Sequence, residues 1–288
     1  MFDTIANIEH RTSNIEHRMT IDYITWNVSP EIFSIGSWSL RWYGLLFASS
    51  FFFGYLILIR IFKKEDIQIK FLDELTTYMI IGTVIGARLG HCLFYEPSYY
   101  LQHPLKILTV WEGGLASHGA GIGIILTIII FSSVRKFSFL WVMDRVVIVV
   151  ALSGLLIRTG NLMNSEIFGT PTSLPWGFLF LRASNPAEAL DPRHPTQLYE
   201  GLSYLLIFLY LWRYYYLKSG KPSPGFIFGM FLTLVFGARF FIEFLKEPQV
   251  GFEQSMLLNM GQLLSIPFVL SGILLILYSK GKFTFVKK

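Results

Sequence analysis

Residues 141–169 read WVMDRVVIVVALSGLLIRTGNLMNSEIFG, a mostly apolar run that ends in a cluster of polar side chains. The run is close to the roughly 20 apolar residues that a helix needs to cross the hydrocarbon core of a bilayer. Ionisable groups are costly in hydrocarbon and are usually functional where they occur there. The cluster therefore indicates a functional site at one end of a membrane helix. Its members are Arg158, Asn161, Asn164 and Glu166.

The composition as a whole is that of a membrane protein. Hydrophobic residues make up 53% of the chain and charged residues 15%, whereas a soluble domain carries about 25% charged residues. Mean hydropathy is +0.51, and several further stretches are long enough to span a bilayer. The isoelectric point near 9.2 is explained by Lys and Arg in cytoplasmic loops, so we predict no nucleic-acid partner.

Several kinds of site are not supported by the sequence. Cys92 is the only cysteine, which excludes an intrachain disulfide and a cysteine metal site. The sequence has no HExxH motif and no second histidine at convincing ligand spacing, so we predict no metal and no other cofactor. It also has no GxSxG nucleophile elbow, which argues against a hydrolase that uses its own serine.

The hydropathy pattern predicts an all-α polytopic membrane protein with about seven transmembrane helices. Aromatic residues, which favour the headgroup level of the bilayer, mark many of the helix ends. The predicted helices lie near 42–62, 72–95, 115–134, 141–163, 196–216, 225–245 and 257–279.

Lys and Arg are more frequent in the loops that lie inside if the N-terminus is outside, which predicts an N-out, C-in orientation. Residues 32–280 then form a single domain, in which 164–195, rich in Pro, Ser and Asn, is a small outer cap. Residues 281–288 are a basic cytoplasmic tail. Residues 1–31 lack the apolar core of a signal peptide. We interpret them as a disordered leader. Met19 is a plausible translation start, in which case residues 1–18 are not part of the protein.

In this orientation, polar side chains from six of the predicted helices fall in the outer half of the membrane. Taken singly, most have a structural explanation, because an arginine at a helix end can extend to the headgroups. An isolated ion pair between residues four apart, such as Arg239 and Glu243, more often has a structural role than a catalytic one. Their coincidence at one depth is better explained by a shared site. The residues are Tyr43, Arg88, His91, His118, Arg158, Asn161, His194, Gln197, Tyr199, Glu200, Arg239 and Glu243.

The residue types at this depth predict a ligand. Arg158 and Asn161 are three residues apart and share a helix face. Gly119 and Gly123, beside His118, form a small-xxx-small pair that allows close helix packing or leaves room for a ligand. Several arginines favour an anion, because guanidinium binds phosphate through two hydrogen bonds and stays charged when buried. A phospholipid headgroup is the natural anion in the outer half of a bilayer, and a histidine there could accept a proton.

Six short motifs occur along the chain: RWYG (41–44), VWEGGLASHGAG (110–121), RTGNLMNSE (158–166), RHPTQLYE (193–200), GARFFIEFLKEP (237–248) and MGQLLSIP (260–267). In this order they resemble the prolipoprotein diacylglyceryl transferases, bacterial inner-membrane enzymes, from about residue 30 to 280. The resemblance implies transfer of the diacylglyceryl group of phosphatidylglycerol to the lipobox cysteine thiol of a preprolipoprotein. A thioether forms and glycerol phosphate leaves, the first step of lipoprotein maturation. Because the substrate supplies the thiol, Cys92 is an ordinary packing residue.

The resemblance also implies roles for individual residues. His118 aligns with the family's essential histidine and is the leading base, although Glu200 and Glu243 remain open as alternatives. Arg158 and Arg239 stabilise the charge that develops on the departing phosphate. The expected headgroup site consists of Tyr43, Arg158, Asn161, Arg239 and Glu243. The supporting residues are Gly119, Glu166, Gly169, His194, Gln197 and Glu200.

The sequence departs from the family pattern at positions near this site. Ser165 stands where glycine is frequent, Val235 where tyrosine is usual, and Lys246 where arginine is common. We place Lys246 at the exposed rim of the site. Its replacement by alanine is therefore expected to have a milder effect than loss of Arg158.

Three other functions compete with a lipid-to-thiol transferase. An anionic-phospholipid transporter predicts polar groups through the full membrane depth and often two similar halves, and neither is visible in the sequence. An interaction scaffold does not need arginines below the membrane surface. A transferase that uses phospholipid with another acceptor, such as a sugar, differs in its need for a thiol. The sequence leaves the oligomeric state open.

Overall fold

The computed structural model describes residues 23–36, 38–110, 113–247 and 256–281. Within them, seven long helices account for most of the chain, and each begins and ends within a few residues of a predicted segment. The bounds are α1 Trp42–Lys64, α2 Ile69–Phe94, α3 Ser117–Arg135, α4 Phe139–Met163, α5 Thr196–Leu217, α6 Phe226–Ile242 and α7 Met260–Ser279. Shorter helical turns cover Pro97–Gln102, Pro104–Leu108, Pro186–Ala189 and Glu243–Leu245.

The helices identify a polytopic membrane protein. Six spans in the described part of the chain are long and apolar enough to cross a bilayer, and they correspond to α1, α2, α3, α4, α7 and α6 extended to Leu245. Helix α5 has the required length but not the hydropathy, because it begins with polar residues and is rich in tyrosine.

The Cα positions divide the chain into two compact units. Unit 1 contains the described residues of Met1–Phe51, Ala151–Leu209 and Leu232–Ser271. Unit 2 contains those of Phe52–Val150, Tyr210–Phe231 and Gly272–Lys288.

Unit 1 includes two small sheets outside the long helices. Strand β1 (Ile24–Trp26) pairs in parallel with β4 (Phe178–Phe180), and β2 (Glu31–Ile35) forms an antiparallel hairpin with β3 (Trp38–Arg41). The indole N–H of Trp26 donates to the carbonyl of Leu162 at 2.9 Å, so β1 is fixed to the end of α4.

These strands correct the interpretation of residues 1–31 as a disordered leader. Residues 24–26 are ordered because they add a strand to β4 and pack Trp26 against a small apolar cluster that includes Leu162, Phe178 and Phe180. Residues 1–22, which contain the proposed alternative start Met19, and residues 282–288, which make up nearly all of the basic tail, lie outside the described residues.

In unit 2, α2 and α3 pack closely through glycine. A Cβ on Gly86 would meet the carbonyl oxygen of Gly119, and a Cβ on Gly123 would meet that of Gly82. Small residues at such positions allow two membrane helices to approach at the backbone. The predicted close packing at Gly119 and Gly123 is confirmed. A Cβ on Gly121, on the same helix, would have no described atom within 4 Å.

Replacing Gly123 by leucine is expected to destabilise unit 2, because the side chain has no space against the backbone of α2. Overpacking of this kind costs about 1–3 kcal/mol. The measurement is the thermal unfolding midpoint of the detergent-purified protein. Gly121→Leu is the matched control on α3 and should leave the midpoint close to that of the unsubstituted protein; equal losses in both variants would contradict the packing assignment.

Helix α4 carries two charged residues near its start, Asp144 and Arg145, and unit 2 accommodates both. Arg145 donates from Nε and Nη2 to the carboxylate of Glu65 at 3.0 and 2.9 Å, and Tyr215 Oη donates to the same carboxylate at 2.6 Å. Asp144 accepts from the backbone N–H groups of Gly225 and Phe228 at 2.7 and 2.8 Å, which satisfies donors at the start of α6. These two residues are structural.

Candidate functional site

The polar end of α4 forms the centre of a site in unit 1. The guanidinium Nε of Arg158 lies 2.6 Å from Oε2 of Glu200, and its Nη1 donates to Oδ1 of Asn161 at 3.0 Å. Asn161 is buried. The expected shared face of Arg158 and Asn161 is therefore present, and α5 supplies the counter-charge through Glu200.

The loop after α4 continues this network. Oε1 of Glu166 accepts hydrogen bonds from the side-chain amides of Asn161 at 2.8 Å and Asn164 at 3.3 Å. The neighbours of Glu166 adopt left-handed backbone conformations, with φ of 52° at Ser165 and 59° at Ile167. This is an unusual conformation for a β-branched residue, and strain of this kind is retained where surrounding contacts fix it.

The start of α5 supplies those contacts. Gln197, which is buried, donates from Nε2 to the backbone carbonyl of Glu166 at 2.7 Å. Thr196 donates from Oγ1 to the carbonyl of Ile167 at 3.0 Å. Gln197 and Thr196 therefore hold the backbone of the loop that carries Glu166.

Glu200 links two halves of the charged network. It is fully buried, with 0% of its surface exposed, and its Oε1 accepts from Nζ of Lys246 at 3.0 Å. Lys246 also donates to Oε2 of Glu243 at 3.3 Å, and Glu243 in turn lies 3.8 Å from Nε of Arg239. The result is a chain of five charged side chains that ends in an arginine on each side. Three cations and two carboxylates leave it one net positive charge.

The position of Lys246 corrects the expectation of an exposed rim residue. Lys246 is only 6% exposed. The chain turns through Glu243–Leu245 after α6, and residue 246 then pairs with Gly169 in an antiparallel bridge. That backbone pairing directs the ammonium toward Glu200 and Glu243, so Lys246 lies inside the network.

Arg158 and Arg239 retain hydrogen-bonding capacity. Among the described residues, Arg158 contacts Glu200, Asn161 and the hydroxyl of Tyr204, which are three partners for five N–H donors. Nε of Arg239 is buried and has no hydrogen-bond partner among the described residues, while its side chain as a whole is 35% exposed. Both ends of the charged chain can therefore accept an anion.

Arg88 does not share this property, which corrects its assignment to the anion site. It lies in unit 2, is 3% exposed and uses all five donors within the protein. Four go to backbone carbonyls and the fifth reaches a threonine hydroxyl. The acceptors are the carbonyls of Ile107, Gly113, Gly114 and Lys106 and Oγ1 of Thr109. Arg88 therefore fixes the loop before α3.

Gly169 and His194 are joined through their backbones, close in sequence to the Glu166 loop and to the start of α5. The backbone N–H of Gly169 donates to the carbonyl of His194 at 2.8 Å. A Cβ on Gly169 would overlap the carbonyl oxygen of Leu245 and Cβ of His194, so only glycine fits. Burial lowers the pKa of His194, which leaves its ring neutral at pH 7, and its Nδ1 lies 3.2 Å from the hydroxyl of Tyr199.

Tyr43 approaches the site from the first turn of α1. Its ring packs on Gly160, where a Cβ would lie 2.8 Å from Cδ2 of the tyrosine. Gly160 is two residues from Arg158, so Tyr43 lies against the turn of α4 that carries the arginine. The assignment of Tyr43 to a headgroup site stays a prediction.

Comparison with known proteins identifies the family. The model of the family described as prolipoprotein diacylglyceryl transferase matches residues 30–278. The chain belongs to this family. Relatives named phosphatidylglycerol–prolipoprotein diacylglyceryl transferase match nearly end to end. The relative from Tolumonas auensis is 50% identical over 259 residues, which cover 88% of this chain and 96% of the relative. The relative from Chloroherpeton thalassium is 47% identical over 261 residues (90% and 96%). The relative from Porphyromonas gingivalis is 47% identical over 267 residues (88% and 94%).

Two of the histidines that the predicted orientation places in the outer half of the membrane, His91 and His118, belong to unit 2. His118 is the second residue of α3 and is exposed, next to Gly119, whose close contact is with α2. His91 stacks on Tyr95 with ring centroids 5.7 Å apart. In the described ranges, no group of three or more His, Cys, Asp or Glu side chains is arranged to hold a metal ion.

Two neighbours of the site, Arg193 and Glu247, were not identified from the sequence. Arg193 is buried, with its guanidinium 5.3 Å from the centre of the Phe168 ring and Nη1 2.5 Å from Oε1 of Glu247. It also donates to the carbonyls of Gly169 and Glu188 at 3.4 and 3.1 Å. Both residues lie within motifs found in the sequence, RHPTQLYE (193–200) and GARFFIEFLKEP (237–248). The irregular segment 164–195 has no periodicity that could have revealed the contact between them.

Proposed function

We propose that the chain transfers the diacylglyceryl group of phosphatidylglycerol to the thiol of the lipobox cysteine in a preprolipoprotein. The names and near-complete overlap of the relatives support this activity. The observation that carries it for this chain is the buried ion-pair chain from Arg158 to Arg239, which has one net positive charge and an arginine with spare donors at each end. A phosphodiester headgroup fits such a site because it carries one negative charge and accepts paired guanidinium hydrogen bonds.

The reaction makes one bond and breaks one. The substrate thiol loses its proton to a base, and the sulfur attacks the glycerol carbon that carries the phosphate. The C–O bond to phosphate breaks, its electron pair stays on the phosphate oxygen, and glycerol phosphate leaves as the thioether forms. The phosphate gains negative charge during this step, so cations placed around it stabilise the transition state more than the bound lipid.

Arg158 and Arg239 are the residues that we assign to this charge. Glu200 holds Arg158 at 2.6 Å, and Glu243 lies near Arg239 at 3.8 Å, so each arginine has a carboxylate that orients it. Lys246 stands between the two carboxylates. Its ammonium holds both carboxylates in position, and the carboxylates in turn hold the two arginines. Tyr43 and Asn161 complete the headgroup site.

We assign the general base to His118, which aligns with the family's essential histidine. Glu200 and Glu243 are each paired with Lys246 and with an arginine. Protonating either carboxylate would leave these buried cations without a counter-charge, which is unfavourable. The two carboxylates therefore suit orientation better than proton transfer.

The membrane arrangement follows from the same proposal. We infer that α5 crosses the membrane as a seventh helix, with the N-terminus outside and the C-terminus inside. The segment 164–195 then forms an outer cap, and the site faces the periplasmic half of a bacterial inner membrane. A lipid enters such a site from the outer leaflet, where the secreted lipobox peptide also arrives.

The activity is tested with detergent-purified protein, phosphatidylglycerol and a synthetic lipobox peptide. We expect the peptide to gain the mass of one diacylglyceryl group and an equal amount of glycerol phosphate to be released. A peptide with serine in place of cysteine should give neither product. Release of glycerol phosphate without a thiol peptide would contradict transfer to a thiol and support another acceptor. Absence of any product, together with lipid movement in vesicles that contain the protein, would support the transporter.

A further inference from the structure

Unit 1 contains a second polar feature beside the charged chain. A cavity of about 270 Å³ opens next to the loop that follows α4. The residues around it come from that loop, from the outer segment near 184–188 and from the chain after Lys246. They are Ser165, Glu166, Ile167, Phe168, Ser184, Glu188 and Glu247.

The polar groups of this cavity are mainly hydrogen-bond acceptors. Glu166, Glu188 and Glu247 each contribute a carboxylate, and an ionised carboxylate can only accept. Glu247 is paired with Arg193 at 2.5 Å. Oε1 of Glu166 already accepts from Asn161 and Asn164, whereas Glu188 is bonded through its backbone within the described chain. A ligand here must donate hydrogen bonds, and it cannot bring further negative charge.

Ser165 provides an independent sign of a ligand. The residue is 2% exposed, and its hydroxyl oxygen is buried with no hydrogen-bond partner among the residues described. Buried polar groups are nearly always paired, so an exception needs an explanation. Ser165 lines the cavity, and a hydroxyl group bound there would pair with it.

The cavity is also connected to the phosphate site. Asn161 accepts from Arg158 through Oδ1 and donates to Glu166 through Nδ2. Arg158 is thus one amide side chain away from a carboxylate of the cavity. An anion site followed directly by a group of acceptors matches a phosphate followed by a polyol.

We propose that this cavity binds the glycerol hydroxyls of the phosphatidylglycerol headgroup and so selects the donor lipid. The inference rests on the proposed function, because it places the phosphate of the same lipid at Arg158. The hydroxyls donate to Glu166 and Glu188 and pair with Ser165. The carboxylates repel any headgroup that carries a second phosphate.

The test compares two donor lipids with the same charge. Phosphatidylmethanol has the phosphodiester but no headgroup hydroxyls. With purified protein and a lipobox peptide, we expect kcat/KM to be at least tenfold higher for phosphatidylglycerol, since hydrogen bonds to charged groups contribute about 10-fold or more each. Ser165→Gly removes the hydroxyl and suits the left-handed backbone at φ 52°. This variant should lower the ratio of kcat/KM for phosphatidylglycerol to kcat/KM for phosphatidylmethanol about two- to tenfold.

Glu188→Ala is the second variant, because the bonds of Glu188 to Arg193 and Asn185 are made by its backbone and survive the substitution. It should lower the preference about tenfold or more. Ser173→Ala, at an exposed serine of the same unit, is the control and should keep the preference of the unsubstituted protein. Because each preference is a ratio within one protein sample, partial loss of folding does not affect it.

Three outcomes would overturn the inference. Equal use of phosphatidylglycerol and phosphatidylmethanol by the unsubstituted protein would show that the hydroxyls are not recognised, while the transferase assignment would stand. Faster transfer from phosphatidylethanolamine would show that the acidic cavity selects a cation. An unchanged preference in both variants would place hydroxyl recognition elsewhere. Absence of transfer from every lipid would instead contradict the proposed function itself.

Discussion

Replacing Arg158 by alanine is expected to lower the rate of diacylglyceryl transfer by a factor of at least about 10²–10³, the usual effect of losing one donor to a developing charge. The arginine is the only member of the charged chain that contacts both Glu200 and Asn161 in the described structure. Its loss removes charge stabilisation and releases the link to Glu166. The measurement is the rate of thioether formation at saturating lipid and peptide.

The control for this variant is Arg182→Ala. Arg182 is an exposed arginine of unit 1 whose Nε bonds Oδ1 of Asn27 at 2.9 Å, so its loss should leave the rate unchanged. Thermal unfolding of both variants separates a catalytic loss from a folding loss. Rates near those of the unsubstituted protein in Arg158→Ala would show that Arg158 does not serve the phosphate.

Replacing Lys246 by alanine is the second substitution with a large expected effect, now that the residue is known to be buried. It removes the cation shared by Glu200 and Glu243, which lie 3.0 and 3.3 Å from Nζ. Removing one partner of a buried ion pair costs about 3–5 kcal/mol because the remaining charge is left uncompensated. We expect a much lower unfolding midpoint in detergent, with reduced transfer by the folded fraction.

Lys246→Arg is the matched variant, since it keeps the charge and restores the residue that the family pattern suggests. It should keep most of the stability and activity. If Lys246→Ala unfolds at the same temperature as the unsubstituted protein, Lys246 is not the central cation of the network, and the exposed-rim interpretation would be restored.

The helices could be predicted from the sequence because their signal is local. Long apolar runs with aromatic ends identify membrane helices without knowledge of their neighbours, and the glycine spacing of Gly119 and Gly123 predicts close packing in the same way. Polar residues that share a helix end, such as Arg158 and Asn161, could also be assigned to one site from spacing alone.

The errors arose where burial depends on distant parts of the chain. Lys246 is buried because its backbone pairs with Gly169, and β1 is ordered because it pairs with β4, more than 150 residues later. Neither pairing leaves a local pattern. Arg88 was assigned to the anion site by depth, but the carbonyls of the loop before α3 use its donors. The residue type and its depth in the membrane do not reveal whether the N–H donors of an arginine already have acceptors within the protein.

The distinction between satisfied and unsatisfied arginines explains how the chain carries several buried guanidiniums with different roles. Arg88 has acceptors for all five of its N–H donors and holds the backbone of the segment before α3 in place. Arg158 and Arg239 share their carboxylates with Lys246 and keep donors for a ligand. The same residue type therefore has a structural role in unit 2 and retains donors that are available to a ligand in unit 1.

A cryo-EM structure of the protein in nanodiscs that contain phosphatidylglycerol tests most directly whether the headgroup binds at the charged chain. We expect density for the headgroup, with its phosphate about 3 Å from the guanidinium of Arg158, within hydrogen-bonding distance. The guanidinium of Arg239 should contact the same phosphate. Phosphate density that lies away from both arginines, with Arg158 contacting only Glu200 and Asn161, would contradict the central claim that the charged chain is the headgroup site.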